Sequence, residues 1–377
     1  MRPGTVASAG MGSVVRQGEA IRKKQRTWFD ARTRLIGAVV SLWACLLVGA
    51  PVQAELKPPP VGEILLDIRF SDKEQQLVRE GKIVNRTISE GSERELAFGM
   101  ALLVKAKPEK LAESYRKATV FEVVQQVKAH GRILGAGALA DFTGLALQPN
   151  PEKEAQRYLD ARPGEELNLE AKEIAAFQAL KSAGAKNPVP VKEVEQLVRQ
   201  ELLARYQAYR AKGLAGIAPY ARAKGAQRLA GDELLQAAKG SVYLAKYVPV
   251  FYDLLLDYPA AKKKAELKNL EESFYWVNLE LFDRPTFVLM HRMALQVGDA
   301  YVAVERQFYT SHEYNSMQQL AAALPTQDGT LLLYVGRVST DQVGGFGSSA
   351  KHPVARSLAA PYLKDMFESV RGRVQKR

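Results

Sequence analysis

Five apolar segments follow one another after Glu272, at 274–282, 286–296, 299–309, 314–324 and 330–339, with only two to five residues between them. Gaps that short permit antiparallel pairing and little else, because a parallel crossover needs a dozen residues or more. The joints carry turn chemistry: Asp283-Arg284-Pro285, Val297-Gly298, and Gln327-Asp328-Gly329, whose Asp-Gly is a strong tight-turn signal. Within the segments Val302 and Val304 alternate with Tyr301 and Ala303, while Leu331, Leu333 and Val335 alternate with Leu332 and Tyr334. Both faces are therefore fairly apolar. One face is expected to cover a helix layer and the other to line something else.

The flanking sequence sets this meander in an α+β chain. Residues 94–107 read as a strand, and Pro108 opens a short helix through Tyr115. Val120–Val127 and Leu134–Leu147 read as two further strands, the second bent by its glycines. Helical periodicity takes over at 152–161, 168–182, 191–212 and from Gly231 onward, and it is clearest where Val194, Leu197, Val198, Leu202, Tyr206 and Tyr209 form one stripe. A Gly/Ser loop at 344–349 leads into a last helix from Pro353, where Pro361 is expected to introduce a kink.

At the other end, a basic region ending in Arg32 and Arg34 runs into the apolar stretch Leu35–Ala50, followed by Pro51-Val52-Gln53-Ala54. The stretch is shorter than the roughly 20 residues that span a bilayer, so residues 1–54 read as a signal peptide of an exported, periplasmic protein cleaved after Ala54. Leu42-Trp43-Ala44-Cys45 loosely fits a lipobox, but Trp43 stands where a small residue is expected, so tethering through Cys45 is the less favoured outcome. Cys45 is the only cysteine, and its removal excludes disulfides, thiol nucleophiles and cysteine metal clusters from the mature chain. Cleavage also halves the formal charge of +12, leaving 45 basic against 39 acidic residues. That excess is dispersed, which argues against a nucleic-acid partner. Contact with a membrane surface stays open, although no basic amphipathic helix supports it. Residues 55–89 read as a proline-rich lead-in with a short N-terminal segment, and 90–377 as the folded domain, interrupted by a helical insertion at about 151–265.

A strand, a short helix and more strands, then an antiparallel meander and one long C-terminal helix, resembles helix-grip domains of the START-like superfamily. The resemblance covers about 90–150 and 270–375. It implies an antiparallel sheet curved around the last helix, with an apolar cavity between them. Glu305-Arg-Gln-Phe-Tyr-Thr-Ser-His-Glu-Tyr-Asn-Ser316, together with Phe274-Tyr-Trp-Val277, Arg284-Pro-Thr-Phe287 and His291, also resembles an uncharacterised family of exported bacterial proteins. That second likeness implies no activity.

Residues that carry chemistry are sparse. None of the four histidines, His130, His291, His312 and His352, stands in a two-histidine metal spacing, and no cofactor motif is present. A register centred on Val297-Gly298 places His291 near Glu305, a conceivable acid/base pair that is more simply read as a cross-strand contact. Ser311 and His312 are adjacent in sequence, which sends their side chains to opposite faces and argues against Ser–His nucleophile activation. Gly344–Lys351 lacks the ending of a phosphate loop and reads as a connector. Trp276, Tyr301, Tyr309, Tyr314, Tyr334 and Phe346 are the expected walls of a ligand site. The leading expectation is an exported binder or carrier of an apolar molecule such as a lipid. The alternatives are an extracytoplasmic hydrolase or acid/base enzyme using His291, Glu305 and His312, and an envelope scaffold presenting an exposed apolar patch.

Overall fold

The computed structural model describes residues 61–164, 166–184, 189–345 and 348–376, all within the unit Lys57–Arg377. The expected signal peptide, Cys45 and Phe346 lie outside the described residues. Two helices, α1 (Val61–Asp67) and α2 (Asp72–Arg79), come first, and Ser71 caps the second through a reciprocal bond with Glu74. Then follow β1 (Val84–Thr87), β2 (Glu95–Val104), α3 (Pro108–Arg116), the single turn α4 (Val120–Val123) and β3 (Val127–Ile133). The helical stretch contains α5 (Pro151–Leu159), α6 (Ala171–Gly184), α7 (Val191–Lys212), the small strands β4 (Tyr220–Ala221) and β5 (Gln227–Arg228), α8 (Ala230–Lys239), α9 (Val242–Tyr247) and α10 (Pro249–Leu256). The meander comprises β6 (Glu271–Leu281), β7 (Arg284–Val297), β8 (Ala300–Thr310), β9 (Ser316–Thr326) and β10 (Gly329–Ser339), and α11 (Ser348–Lys376) follows it.

The chain is α+β. Eight strands make one antiparallel sheet in the order β1-β2-β10-β9-β8-β7-β6-β3, so the five meander strands are its middle and the earlier strands close both flanks. Two strand expectations are corrected. Val120–Val123 winds into α4, whose Phe121 packs on Tyr275 at 5.3 Å, and pairing begins only at Val127. Residues 134–147 form no strand, because Gly135, Gly137 and Gly144 adopt φ of +53°, +80° and +93°, outside the extended backbone a ladder requires. Helical backbone continues through Pro361 in α11.

Alternation of side chains on a strand gives the sheet two faces, and each is covered. On one lie the helices between β3 and β6, whose Phe177, Val198, Leu202, Tyr206, Tyr209, Phe251 and Leu254 pack on Phe274, Trp276, Leu289, Met293, Val302 and Val304. The α1–α2 pair covers the same face farther along, over Ala101, Leu103 and Leu331. Across the sheet, α11 sets Leu363, Phe367 and Val374 against Met100, Leu102, Tyr301, Leu332 and Tyr334, and α4 sets Phe121 against Val277 and Met290. Each large apolar side chain so buried contributes about 1.5–3 kcal/mol.

The end of α7 is shaped by close backbone approach. Gly213 has φ +58° and ψ −136°, and a Cβ there would lie 1.8 Å from the Tyr258 carbonyl oxygen. Gly213→Ala is therefore expected to lower stability by at least about 1–3 kcal/mol from backbone strain alone, read as a drop in thermal midpoint by circular dichroism. An unchanged midpoint would refute that account of the contact.

Candidate functional site

Between the sheet and α3, α4 and α11 lies a cavity of about 520 Å³. Its origin is legible strand by strand. Ala294 pairs with Ala303, and Ala303 with Ala321, so three short side chains stand side by side across β7, β8 and β9. Leu363, Met366 and Phe367 of α11 line the same space, and the shallow alanine floor leaves it unfilled. The walls are predominantly apolar.

One row along the strands, the floor turns polar. Arg292 pairs with Glu305 and Glu305 with Gln319, placing a cation, a carboxylate and an amide abreast on the cavity face. Glu305 Oε1 accepts from Gln319 Nε2 at 3.2 Å and from Gln307 Nε2 at 3.3 Å, while Arg292 Nε stands 3.4 Å from Oε2. Tyr334 donates to Gln319 Oε1 at 2.7 Å and Tyr314 donates to Gln307 Oε1, so each amide is held with its NH₂ toward the carboxylate. The Arg292 guanidinium lies 3.9 Å over the Tyr115 ring, whose hydroxyl donates to the Val304 carbonyl at 3.1 Å. Burial pushes the Glu305 carboxyl above its usual range, against the lowering influence of Arg292 and Gln307.

The expected site residues divide. Tyr301, Tyr314 and Tyr334 line the cavity. Trp276 and Tyr309 belong to the opposite face: Trp276 donates from Nε1 to the Asp141 carbonyl at 2.6 Å, and Tyr309 lies under Arg205, 4.3 Å from guanidinium to ring centre. Tyr309 is turned away by a β-bulge, since Leu289 pairs with Tyr309 and Met290 with Gln307, leaving Phe308 over. Arg292, Gln307, Gln319 and Tyr115 were not singled out from the sequence, although the Tyr301, Ala303, Glu305, Gln307 alternation marks two of the polar positions.

The expected His291–Glu305 pairing is corrected. The β7–β8 loop is Gly298-Asp299, so Val297 faces Ala300, one residue away from a register that would set His291 directly against Glu305. His291 then pairs with Arg306, on the insertion face, and Arg292 takes the place opposite Glu305. His291 is fully buried, stacked on Phe274 at 4.3 Å. The Tyr209 hydroxyl is hydrogen-bonded to its Nδ1 at 3.0 Å, and Nε2 stands 3.0 Å from Glu272 Oε1, out of line for a good hydrogen bond. His312, in the β8–β9 connection, places Nε2 3.0 Å from the Pro285 carbonyl and 3.2 Å from Thr286 Oγ1, with Nδ1 3.0 Å from Glu313. Ser311 Oγ accepts from the Phe287 amide at 3.0 Å. His291, Glu305 and His312 thus occupy three separate settings. Among the described residues no group of three His, Cys, Asp or Glu side chains is arranged to hold a metal ion.

No protein-family model, no curated protein and no solved structure matches this chain, so the site is read from its own chemistry.

Two predictions follow from these buried charges. Desolvation holds His291 down to about 4, against the raising influence of Glu272. At Glu272 burial raises the pKa, but His291, Lys262 and Tyr258 together outweigh it and bring it to about 2. Both folded values lie below the ordinary ones, so the unfolded chain binds more protons in acid and stability is lost as pH falls. The thermal midpoint is expected to decline from pH 6.5 toward 4, and His291→Gln to flatten that decline, since it removes both the histidine's own titration and its lowering influence on Glu272. Equal slopes for the two proteins between those values would contradict the assignment. At the cavity floor, Glu305→Ala leaves the Arg292 charge buried without its partner and is expected to cost about 3–5 kcal/mol in denaturant unfolding. The joint change R292M/E305L, which removes both charges, is expected to stay near wild-type stability.

Proposed function

We propose that this chain is an exported binder or carrier of an apolar molecule of lipid type, held between the sheet and α11. The observation that carries the reading is the cavity of about 520 Å³ with an alanine floor and mostly apolar walls. Its volume falls in the range of about 300–1,000 Å³ usual for small-molecule sites. Each methylene transferred from water into such a space gains about 0.8 kcal/mol, so an alkyl chain is the ligand for which the walls are suited. Placement between an antiparallel sheet and the last helix fits the helix-grip resemblance, and the N-terminal leader supports the extracytoplasmic setting. The acid/base alternative required His291, Glu305 and His312 to converge, and their separation weighs against it. A deep, mostly apolar cleft between the sheet and its helices likewise favours a binder over a scaffold that works through a flat surface.

The test is to purify the protein from the native envelope and identify bound material by native mass spectrometry and solvent extraction. A lipid-sized adduct is expected in the wild type. It is expected to be lost in Ala303→Trp and Ala321→Trp, each of which fills the floor, while the circular dichroism spectrum is retained. Ligand-free wild type in repeated preparations, or adducts that persist in the filled variants, would overturn the proposal.

A further inference from the structure

We infer that the polar row of the cavity selects a neutral, hydroxylated lipid, its hydroxyl seated between Arg292 and Glu305. This rests on the cavity being the binding site and adds the chemistry of the head group.

The argument starts from what the row leaves unmet. Arg292 lines the cavity although only 2% exposed; its Nε, sealed from the cavity, has no hydrogen-bond partner because the carboxylate oxygen at 3.4 Å is poorly aligned, so a ligand would meet the guanidinium at its terminal nitrogens. A guanidinium carries five N–H donors, and a buried donor left unsatisfied is costly. Glu305 is unevenly used: Oε1 receives both amides, whereas Oε2 has only the loose approach of Arg292. Donor capacity and acceptor capacity are therefore left side by side. A hydroxyl answers both, accepting from Arg292 and donating to Glu305 Oε2.

Charge excludes the neighbouring alternatives. Arg292 and Glu305 neutralise one another, so a carboxylate or phosphate head seated at this row would bring an uncompensated charge into a mostly apolar cavity against Glu305. An ammonium head would meet Arg292 in the same way. Both are costly where desolvated charges lack partners. A wholly apolar molecule would leave the guanidinium as it stands. The amides cannot turn to serve an anion, because Tyr334 and Tyr314 fix their carbonyl oxygens outward from Glu305.

The experiment uses four ligands with one chain length and different heads: hexadecane, 1-hexadecanol, palmitate and hexadecylamine. Each competes at pH 7.5 with an apolar fluorophore whose emission rises inside the wild-type cavity. 1-Hexadecanol is expected to displace it at about one-tenth the concentration needed for any of the others, the factor one or two such hydrogen bonds supply. In R292M/E305L that preference is expected to collapse, 1-hexadecanol and hexadecane becoming equal. If palmitate or hexadecylamine binds the wild type best, or if 1-hexadecanol and hexadecane bind it equally, the head-group inference fails and the cavity reading stands. A preference that survives in R292M/E305L also overturns it. If none of the four displaces the fluorophore and Ala303→Trp leaves the fluorescence unchanged, the cavity itself is not a binding site and both readings fall.

Discussion

The two-residue turn Gly298-Asp299 pairs Val297 with Ala300, and the residues of both faces are counted outward from it. A strand has a side-chain period of two, so displacement by a single position exchanges every residue between faces. With this turn the alanines of β7, β8 and β9 align on the side of α11, and Arg292 stands opposite Glu305. Moved by one, His291 and Glu305 would meet, and Ala303 with Ala321 would turn to the insertion face while Ala294 stayed on the other, breaking the alanine row. The bulge at Phe308 then exchanges the faces once more, so Tyr301 and Tyr309 part company within one strand.

The two covered faces are packed to different ends. On the insertion side Tyr209 is at the centre of an aromatic cluster, stacked 4.0 Å from Phe308 and 5.5 Å from Tyr258, with the His291 ring at 5.6 Å. Two buried ion pairs there and nearby are close, Glu173 with Arg205 through two bonds and Glu95 with Arg337 at 2.9 Å, while the buried Arg306 is held by Gln318 Oε1 and the Leu255 carbonyl. That layer is built for rigidity, since a well-packed interior transmits strain rather than absorbing it. The α11 side keeps short side chains at mid-sheet, which leaves space. Its buried pair, Arg292 with Glu305 at 3.4 Å, is looser than these two.

Much of the fold was legible because it rests on local signals. The strands of the meander fall close to the segments marked by apolar alternation and turn residues, α7 spans 191–212 as its stripe implies, and Pro108 opens α3. Expectation failed where a local preference met a tertiary demand. Val120-Phe121-Glu122-Val123 has strand composition, yet Phe121 is worth more packed on Tyr275 and His130 than extended. Trp276 suited a ligand wall by composition, but β3 brings Gly131 beneath it, and only a residue without a side chain tolerates that approach.

By itself the sequence determined the α+β class, the antiparallel meander, the helical stretch between 151 and 265 and the absence of cysteine after Cys45. Those follow from periodicity, turn chemistry and composition, which act over a few residues. Tertiary structure alone decided which aromatics line the cavity, that Arg292 rather than His291 partners Glu305, and that a row of alanines opens the space. Face and register depend on one turn and one bulge. Neither changes the local pattern of apolar and polar residues, so neither can be read from it.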